Sequence, residues 1–197
     1  FDFEPSGSGP AIQPRQWQTH LIQLLRRRLD GEATGEQDVL VFAGPGAGKT
    51  LGALLAFRSM RREQRLQHFL VFCHRTSILE QWQRAAARLG LSLVSWPCEP
   101  GRLSQADGLL LTYQSAGRQP QQLAAALRPW PSSSQLAIAD EAHHLGLDPD
   151  EPGAAAWSLS FEEQTSHCRL RLGLTGTPFR ADNLGFCAAR RIRTVQN

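Results

Sequence analysis

Residues 39–50 read VLVFAGPGAGKT, an apolar run from Val39 to Ala43 that breaks into a glycine-rich turn and ends on Lys49 and Thr50. A short run with β-branched residues at Val39 and Val41 has the length and stiffness of a buried strand in a parallel sheet. Gly44, Gly46 and Gly48 let the backbone curl so that successive N–H groups point into one cavity, and a following helix over Lys49–Arg65 adds its positive end. The turn therefore reads as a phosphate cradle. Its contacts are Gly44, Pro45, Gly46, Ala47, Gly48, Lys49 and Thr50. Lys49 supplies a compact charge for the β- and γ-phosphates of ATP, and the Thr50 hydroxyl is a Mg²⁺ ligand. Ala43 stands where the strict pattern has glycine, a relaxed form of the motif.

Outward from the cradle, the same alternation repeats. A helix is predicted over Pro14–Leu29, with Trp17, Leu21, Leu24, Leu25 and Leu29 at helical spacing and Pro14 suited to the first turn. After the cradle come a strand at Phe69–Cys73, a helix at Thr76–Leu89 ending on Gly90, and strands at Leu91–Trp96 and Gly108–Thr112. The stretch Tyr113–Leu127 is expected to be helical in its second half. A strand at Leu136–Ala139, a helix at Ala154–Thr165 and a strand at Leu170–Thr175 follow. Strands alternating with helices of this length predict an α/β fold, a mainly parallel sheet covered on both faces.

The composition frames the reading. At 197 residues there is room for one full-sized domain, since domains usually take about 100–200 residues. The formal charge of +3 permits a polyanionic partner without demanding one. No apolar run approaches the roughly 18 residues a membrane span needs, so no membrane association is expected. Cys73, Cys98, Cys168 and Cys187 show neither CxxC nor zinc-ligand spacing, which fits reduced thiols in a cytoplasmic protein. Of the 21 basic residues, only Lys49 is a lysine. Codon bias accounts for the arginine excess but not for the position of the one ammonium. Residues 1–13, with Pro5, Gly7, Gly9 and Pro10, read as a flexible lead-in, and the start at Phe1 reads as an excerpted chain.

A second motif, Asp140-Glu141-Ala142-His143-His144, follows the apolar strand Leu136–Ala139 directly. A carboxylate at the C-terminal end of a parallel strand lies where open α/β sheets bind ligands. Asp140 suits a Mg²⁺ ligand, directly or through water, and Glu141 suits a general base that takes a proton from the water attacking the γ-phosphate. Catalytic roles thus fall on Lys49, Asp140 and Glu141. His143, beside the carboxylates, reads as a coupling residue, while the role of His144 stays open.

GPGAGKT at 44–50, DEAHH at 140–144 and LTGTP at 174–178 together resemble motifs I, II and III of the superfamily 2 helicases and translocases, in that order and each after a strand. The resemblance covers Pro14 to about Arg180. It implies a RecA-like P-loop NTPase, a three-layer sandwich, occupying residues 14–185. It further implies that Arg15 and Gln18, spaced as R-x-x-Q, recognise adenine, with Trp17 packing beside them. His74-Arg75-Thr76 with Gln81 and Trp82 is similar to motif Ia, and Thr112-Tyr113-Gln114-Ser115 to motif Ib. The nucleic-acid contacts implied are Arg75, Thr76, Thr112 and Gln114. Thr175 and Thr177 would couple the ATP site to the nucleic-acid face. The DEAHH and TGTPFR spellings resemble the branch of restriction-enzyme motor subunits and excision-repair helicases, which favours DNA over RNA as the partner.

Superfamily 2 motors use two such domains, and the second supplies an arginine finger from a Q-x-x-G-R-x-x-R-like motif. No such motif occurs in this sequence. Residues 186–197, including Arg190, Arg191 and Arg193, read as the start of a linker to a second RecA-like domain acting in cis or in trans. The expectation is Mg-ATP binding with little turnover by this segment alone. Two alternatives remain: a nucleotide-gated adaptor module, and an RNA-acting DExH helicase domain. A nucleotide kinase has no use for DEAHH or TGTP.

Overall fold

The structure is a computed structural model and describes residues 12–31, 37–145 and 154–176. Six strands form one sheet: β1 (Asp38–Phe42), β2 (His68–Cys73), β3 (Leu93–Ser95), β4 (Gly108–Thr112), β5 (Gln135–Ala139) and β6 (Leu170–Thr175), in the order β1-β6-β5-β2-β4-β3. Every pairing is parallel. All six strands therefore end on the same edge, and every loop carrying a motif leaves from it.

The helices are α1 (Gln16–Asp30), α2 (Lys49–Arg62), α3 (Leu79–Arg88), α4 (Pro100–Leu103), α5 (Tyr113–Arg118), α6 (Pro120–Leu127) and α7 (Ala154–Thr165). Two cores, one on each face of the sheet, make the three-layer sandwich. On β2 the side chains of Phe69, Val71 and Cys73 point to one face, where Leu21 and Leu25 of α1, Leu54, Phe57 and Met60 of α2 and Trp82 of α3 close the core. Leu70 and Phe72 point to the other, against Tyr113 of α5, Leu123 of α6 and Phe161 of α7. A strand buried on both sides needs apolar residues at every position, which is why FLVFC shows no polar alternation.

The structure departs from the sequence expectations in four places. Tyr113–Leu127 is helical in both halves, because Thr112 caps α5: its Oγ1 accepts from the Ser115 amide at 3.0 Å, and the Ser115 hydroxyl donates to the Thr112 carbonyl at 3.0 Å. The predicted helix at Thr76–Leu89 opens as a 3-10 turn over Thr76–Ile78, and α3 begins only at Leu79. Its C-terminus follows expectation, with Gly90 at φ 71°. The strand expected over Leu91–Trp96 shortens to Leu93–Ser95, and the short helix α4 has no counterpart in the periodicity. Thr177, Cys187 and residues 186–197 lie outside the described residues, as do residues 1–11 of the lead-in. The three described cysteines are free thiols. Burial raises the thiol pKa of Cys73 and pushes that of Cys168 up to about 12, so both are unreactive core residues.

One ion cluster, buried at Arg171, largely buried at Asp38 and open to solvent at Glu162, joins the edge strand to its neighbour. Arg171 on β6 donates to Asp38 of β1 from Nε at 2.6 Å and Nη2 at 3.0 Å, and from Nη1 to Glu162 of α7 at 2.6 Å. Burial raises the Asp38 pKa, and the bonded guanidinium opposes that rise. Removing one member of such a pair leaves a desolvated charge uncompensated. Arg171→Ala is expected to lower stability by about 3–5 kcal/mol. The paired replacement Arg171→Met with Asp38→Leu is expected to recover most of that loss, as read by denaturant unfolding.

Candidate nucleotide and nucleic-acid site

The phosphate loop between β1 and α2 has the expected backbone. Gly46 and Gly48 sit at φ 72° and 79°, in the left-handed region where a side chain is strained. A Cβ at Gly44 or Gly46 would meet nothing within 4 Å, so the mouth of the loop is open. The first turn of α2 receives no side-chain cap. The Lys49 ammonium turns inward, donating to the carbonyls of Ala43 at 2.8 Å and Gly44 at 3.2 Å. An open cradle, an uncapped helix N-terminus and an ammonium at its floor are what a nucleotide triphosphate needs.

The loop is held from outside by the first turn of α1. Arg15 Nη1 donates to the Gly46 carbonyl at 2.8 Å, Trp17 Nε1 to Ala47 at 3.0 Å, and Gln18 Nε2 to Gly48 at 3.0 Å. Gln18 is only 1% exposed, and its Oε1 accepts from the Arg15 amide at 2.9 Å. The R-x-x-Q element thus grips three successive loop carbonyls, and Trp17 is a full member of the clamp. Its ring also explains Gly52: a Cβ there would lie 2.5 Å from Trp17 Cη2.

Asp140, at the end of β5, is the most connected residue of the site. Its Oδ2 accepts from Trp82 Nε1 at 2.9 Å, its Oδ1 from the Glu141 amide at 2.9 Å, and its carbonyl from the Tyr113 hydroxyl at 2.8 Å. Its own amide donates to Phe72 at 2.8 Å. Burial raises its pKa; the Trp82 and Glu141 bonds and the Lys49 charge work against the rise. Each carboxylate oxygen keeps a second lone pair facing away from these donors, so the residue fits a Mg²⁺ ligand acting directly or through water.

Trp82 and Tyr113 carry roles the sequence reading missed. Trp82 lies in the segment resembling motif Ia, yet it is fully buried and serves Asp140. Gln81 Nε2 lies 3.5 Å from Thr50 Oγ1, so this part of α3 faces the phosphate loop. Tyr113 belongs to the segment resembling motif Ib and is likewise buried. The available signal was chemical: an indole or phenol on a buried helix face must find a hydrogen-bond partner.

Of the residues expected to couple, Thr175 ends β6 and is buried, with Oγ1 3.0 Å from His143 Nδ1. Gly176 follows it, beside Lys49 Nζ and the Ala43 carbonyl. Glu141 adopts φ 47°, and the imidazole of His144 donates from Nε2 to its Oε2 at 3.2 Å. Glu141, His143 and His144 bring potential metal-ligand atoms within 4.8 Å of one another.

The four expected nucleic-acid residues occupy the same edge of the sheet. Arg75, Thr76 and Gln114 are exposed, while Thr112 is half-buried. Arg75 caps the 3-10 turn, and the Thr112 oxygen is engaged in capping α5.

The Trp17–Gly52 contact generates a stability prediction. Gly52→Ala is expected to destabilise the domain by about 1–3 kcal/mol through overpacking and to lower its melting temperature. Gly101→Ala, where a Cβ meets nothing within 4 Å, is expected to leave melting unchanged or slightly higher.

Comparison with known proteins agrees with this geometry. The family described as type III restriction enzyme, res subunit, matches residues 11–180. An uncharacterized protein of Mycobacterium leprae (strain TN) is 31% identical over 153 residues, covering 77% of this chain and 24% of its own length. The chain thus spans about a quarter of that relative. Among solved structures, the Sulfolobus solfataricus SWI2/SNF2 ATPase core in complex with dsDNA superposes with a TM-score of 0.65 at 21% identity, over 85% of this chain and 32% of that one. The UvsW helicase from bacteriophage T4 gives 0.59 at 18% identity, over 86% and 55%. Among the described residues, no helix is long and apolar enough to cross a membrane. Fold, loop geometry and the match over residues 11–180 agree: the chain belongs to the type III restriction enzyme res subunit family.

Proposed function

We propose that this domain is the first RecA-like half of a DNA helicase or translocase, which binds Mg-ATP and couples its hydrolysis to movement on duplex DNA. One observation carries the reading: β1, β6 and β5 are consecutive in the sheet, and the phosphate loop, Thr175–Gly176 and Asp140–His144 leave from their adjacent C-terminal ends. The chemistry of phosphate binding, water activation and coupling is thereby concentrated along one edge.

In this reading the loop amides and the α2 N-terminus hold the phosphates, and Lys49 swings from the Ala43 and Gly44 carbonyls onto the transferring group. Thr50 and Asp140 would hold the Mg²⁺, which neutralises phosphate charge when bound. Arg15 and Gln18 stand at the adenine side while clamping the loop. Glu141 accepts the proton of the attacking water, and His143 with Thr175 transmits the state of the site. Arg75, Thr76, Thr112 and Gln114 face the DNA backbone. In this reading a second RecA-like domain, acting in cis or in trans, supplies an arginine finger. Support for DNA comes from the likeness to the SWI2/SNF2 ATPase core in complex with dsDNA.

The test is nucleotide binding and turnover in the full-length protein. Lys49→Ala should abolish Mg-ATP binding or weaken it strongly; unchanged affinity would overturn the assignment of the loop. Trp82→Phe keeps an aromatic ring at this buried position, removes the N–H to Asp140 and leaves a small cavity in place of the rest of the indole. It should weaken Mg²⁺-dependent nucleotide binding by roughly 10–100-fold, the usual cost of an outer-shell partner, and leave Mg²⁺-free binding unchanged.

A further inference from the structure

DEAHH ends on a second histidine that the functional reading does not use. His144 sits between two groups of different kinds. On one side, its Nε2 donates to Glu141 Oε2 at 3.2 Å. On the other, its ring stacks on that of His74, with centroids 4.0 Å apart and planes 19° from parallel. The ring of Trp157 on α7 meets His74 edge-on at 5.0 Å and 62°. The His143 ring lies 4.2 Å from that of His144. His74 is the residue immediately before Arg75 and Thr76, both exposed on the motif edge. The structure therefore joins the end of β2, where the backbone of a nucleic acid is proposed to bind, to the carboxylate proposed as the general base, through one imidazole.

We infer that His144 is a positioning residue: it restrains the Glu141 carboxylate and releases it when DNA engages the His74–Thr76 turn. This rests on the reading of Glu141 as the base. Three observations favour restraint over simple packing. One of the two oxygens of the Glu141 carboxylate, Oε2, already accepts from His144, and one of its lone pairs is spent on that donor. Glu141 is held at φ 47°, in a backbone region that costs a non-glycine residue energy and persists only where surrounding contacts enforce it. Its side chain is 42% exposed, against 15% for His144, so no wall of packed atoms fixes the carboxylate and the imidazole is its described anchor. A ring stacked on His74 cannot remain in place if His74 moves with Arg75 and Thr76, so strand contact and carboxylate freedom are mechanically linked.

Two substitutions cut the link at opposite ends. His144→Phe keeps a ring against His74 but has no N–H for Glu141. His144→Gln keeps an amide donor for Glu141 but has no ring for His74. In the full-length protein, steady-state ATPase is measured without nucleic acid and with a saturating linear duplex DNA. His144→Phe should raise the DNA-independent kcat by roughly fivefold, the worth of one modest hydrogen bond, with KM for ATP within about twofold. His144→Gln should keep the low DNA-independent kcat and lose most of the DNA stimulation. His74→Ala, which removes the stack from the other side, should resemble His144→Gln. A common fall in both rates for all three variants, or wild-type stimulation in His144→Gln and His74→Ala, would overturn the inference. Glu141→Gln is the separate control. Wild-type turnover in that variant would refute the base assignment itself, whereas an inactive Glu141→Gln beside unaltered His144 variants would refute only the link.

Discussion

A carboxylate buried at the end of a central strand is tolerated only if its oxygens are satisfied, and the site is organised around meeting that condition for Asp140. Desolvation works against its ionised form, and the bonds from Trp82 and the Glu141 amide, with the Lys49 charge, oppose that penalty. The donors come from different parts of the fold. Trp82 lies on α3, which covers one face of the sheet, and Tyr113 begins α5, which covers the other. Meeting the hydrogen-bond requirements of one residue therefore ties both helical layers to β5. A buried polar group that is fully bonded fixes position more sharply than apolar packing, because small displacements lose directional bonds. The same bonds give the two segments resembling motifs Ia and Ib a direct hold on the end of β5.

The phosphate loop meets the converse problem. Its glycines permit the curled backbone, which the Ala47 amide closes with a bond to the Gly44 carbonyl, but they leave the loop few side chains to pack. The remaining handles are the outward carbonyls. Arg15, Trp17 and Gln18 take those of Gly46, Ala47 and Gly48 in turn, spaced so that one helical turn reaches all three. Contact between Trp17 and the backbone at Gly52 sets the distance of α1 from α2. The loop is thus rigid on its outer side and open on its inner side, an arrangement suited to binding without a large ordering cost.

Much of this was legible in the residues alone, for local reasons. Strands such as FLVFC and helices such as Lys49–Arg62 announce themselves by length and apolar content. The nucleotide loop and the DEAHH segment are contiguous, so their chemistry can be read without knowing the fold. What escaped were contacts between residues distant in sequence. Gln18 looks like a surface glutamine until the loop carbonyls are placed over it, and Trp82 looks like core packing until Asp140 is placed beside it. His74 and His144 have no sequence relation at all; the parallel pairing of β2 with β5 brings them together. The helix in the first half of Tyr113–Leu127 escaped for a smaller reason, because Thr112 and Ser115 cap each other and so start α5 where the periodicity alone places no helix.

The single lysine is explained by the same geometry. A guanidinium is planar and forked, suited to a fixed partner, as Arg171 shows with Asp38 and Glu162 and Arg15 with Gly46. Under the proposed function the residue at the floor of the cradle works under a different demand, because it holds a compact charge against two carbonyls of its own loop and then gives them up to a phosphate. An ammonium carries three donors around one point and can exchange partners by rotating its stem, without reorienting a plane. Lys49 divides its ammonium between the carbonyls of two successive residues, Ala43 at 2.8 Å and Gly44 at 3.2 Å. In a chain that uses arginine for every other Lys/Arg position, the one site that keeps lysine is the one whose partner changes under the proposed function.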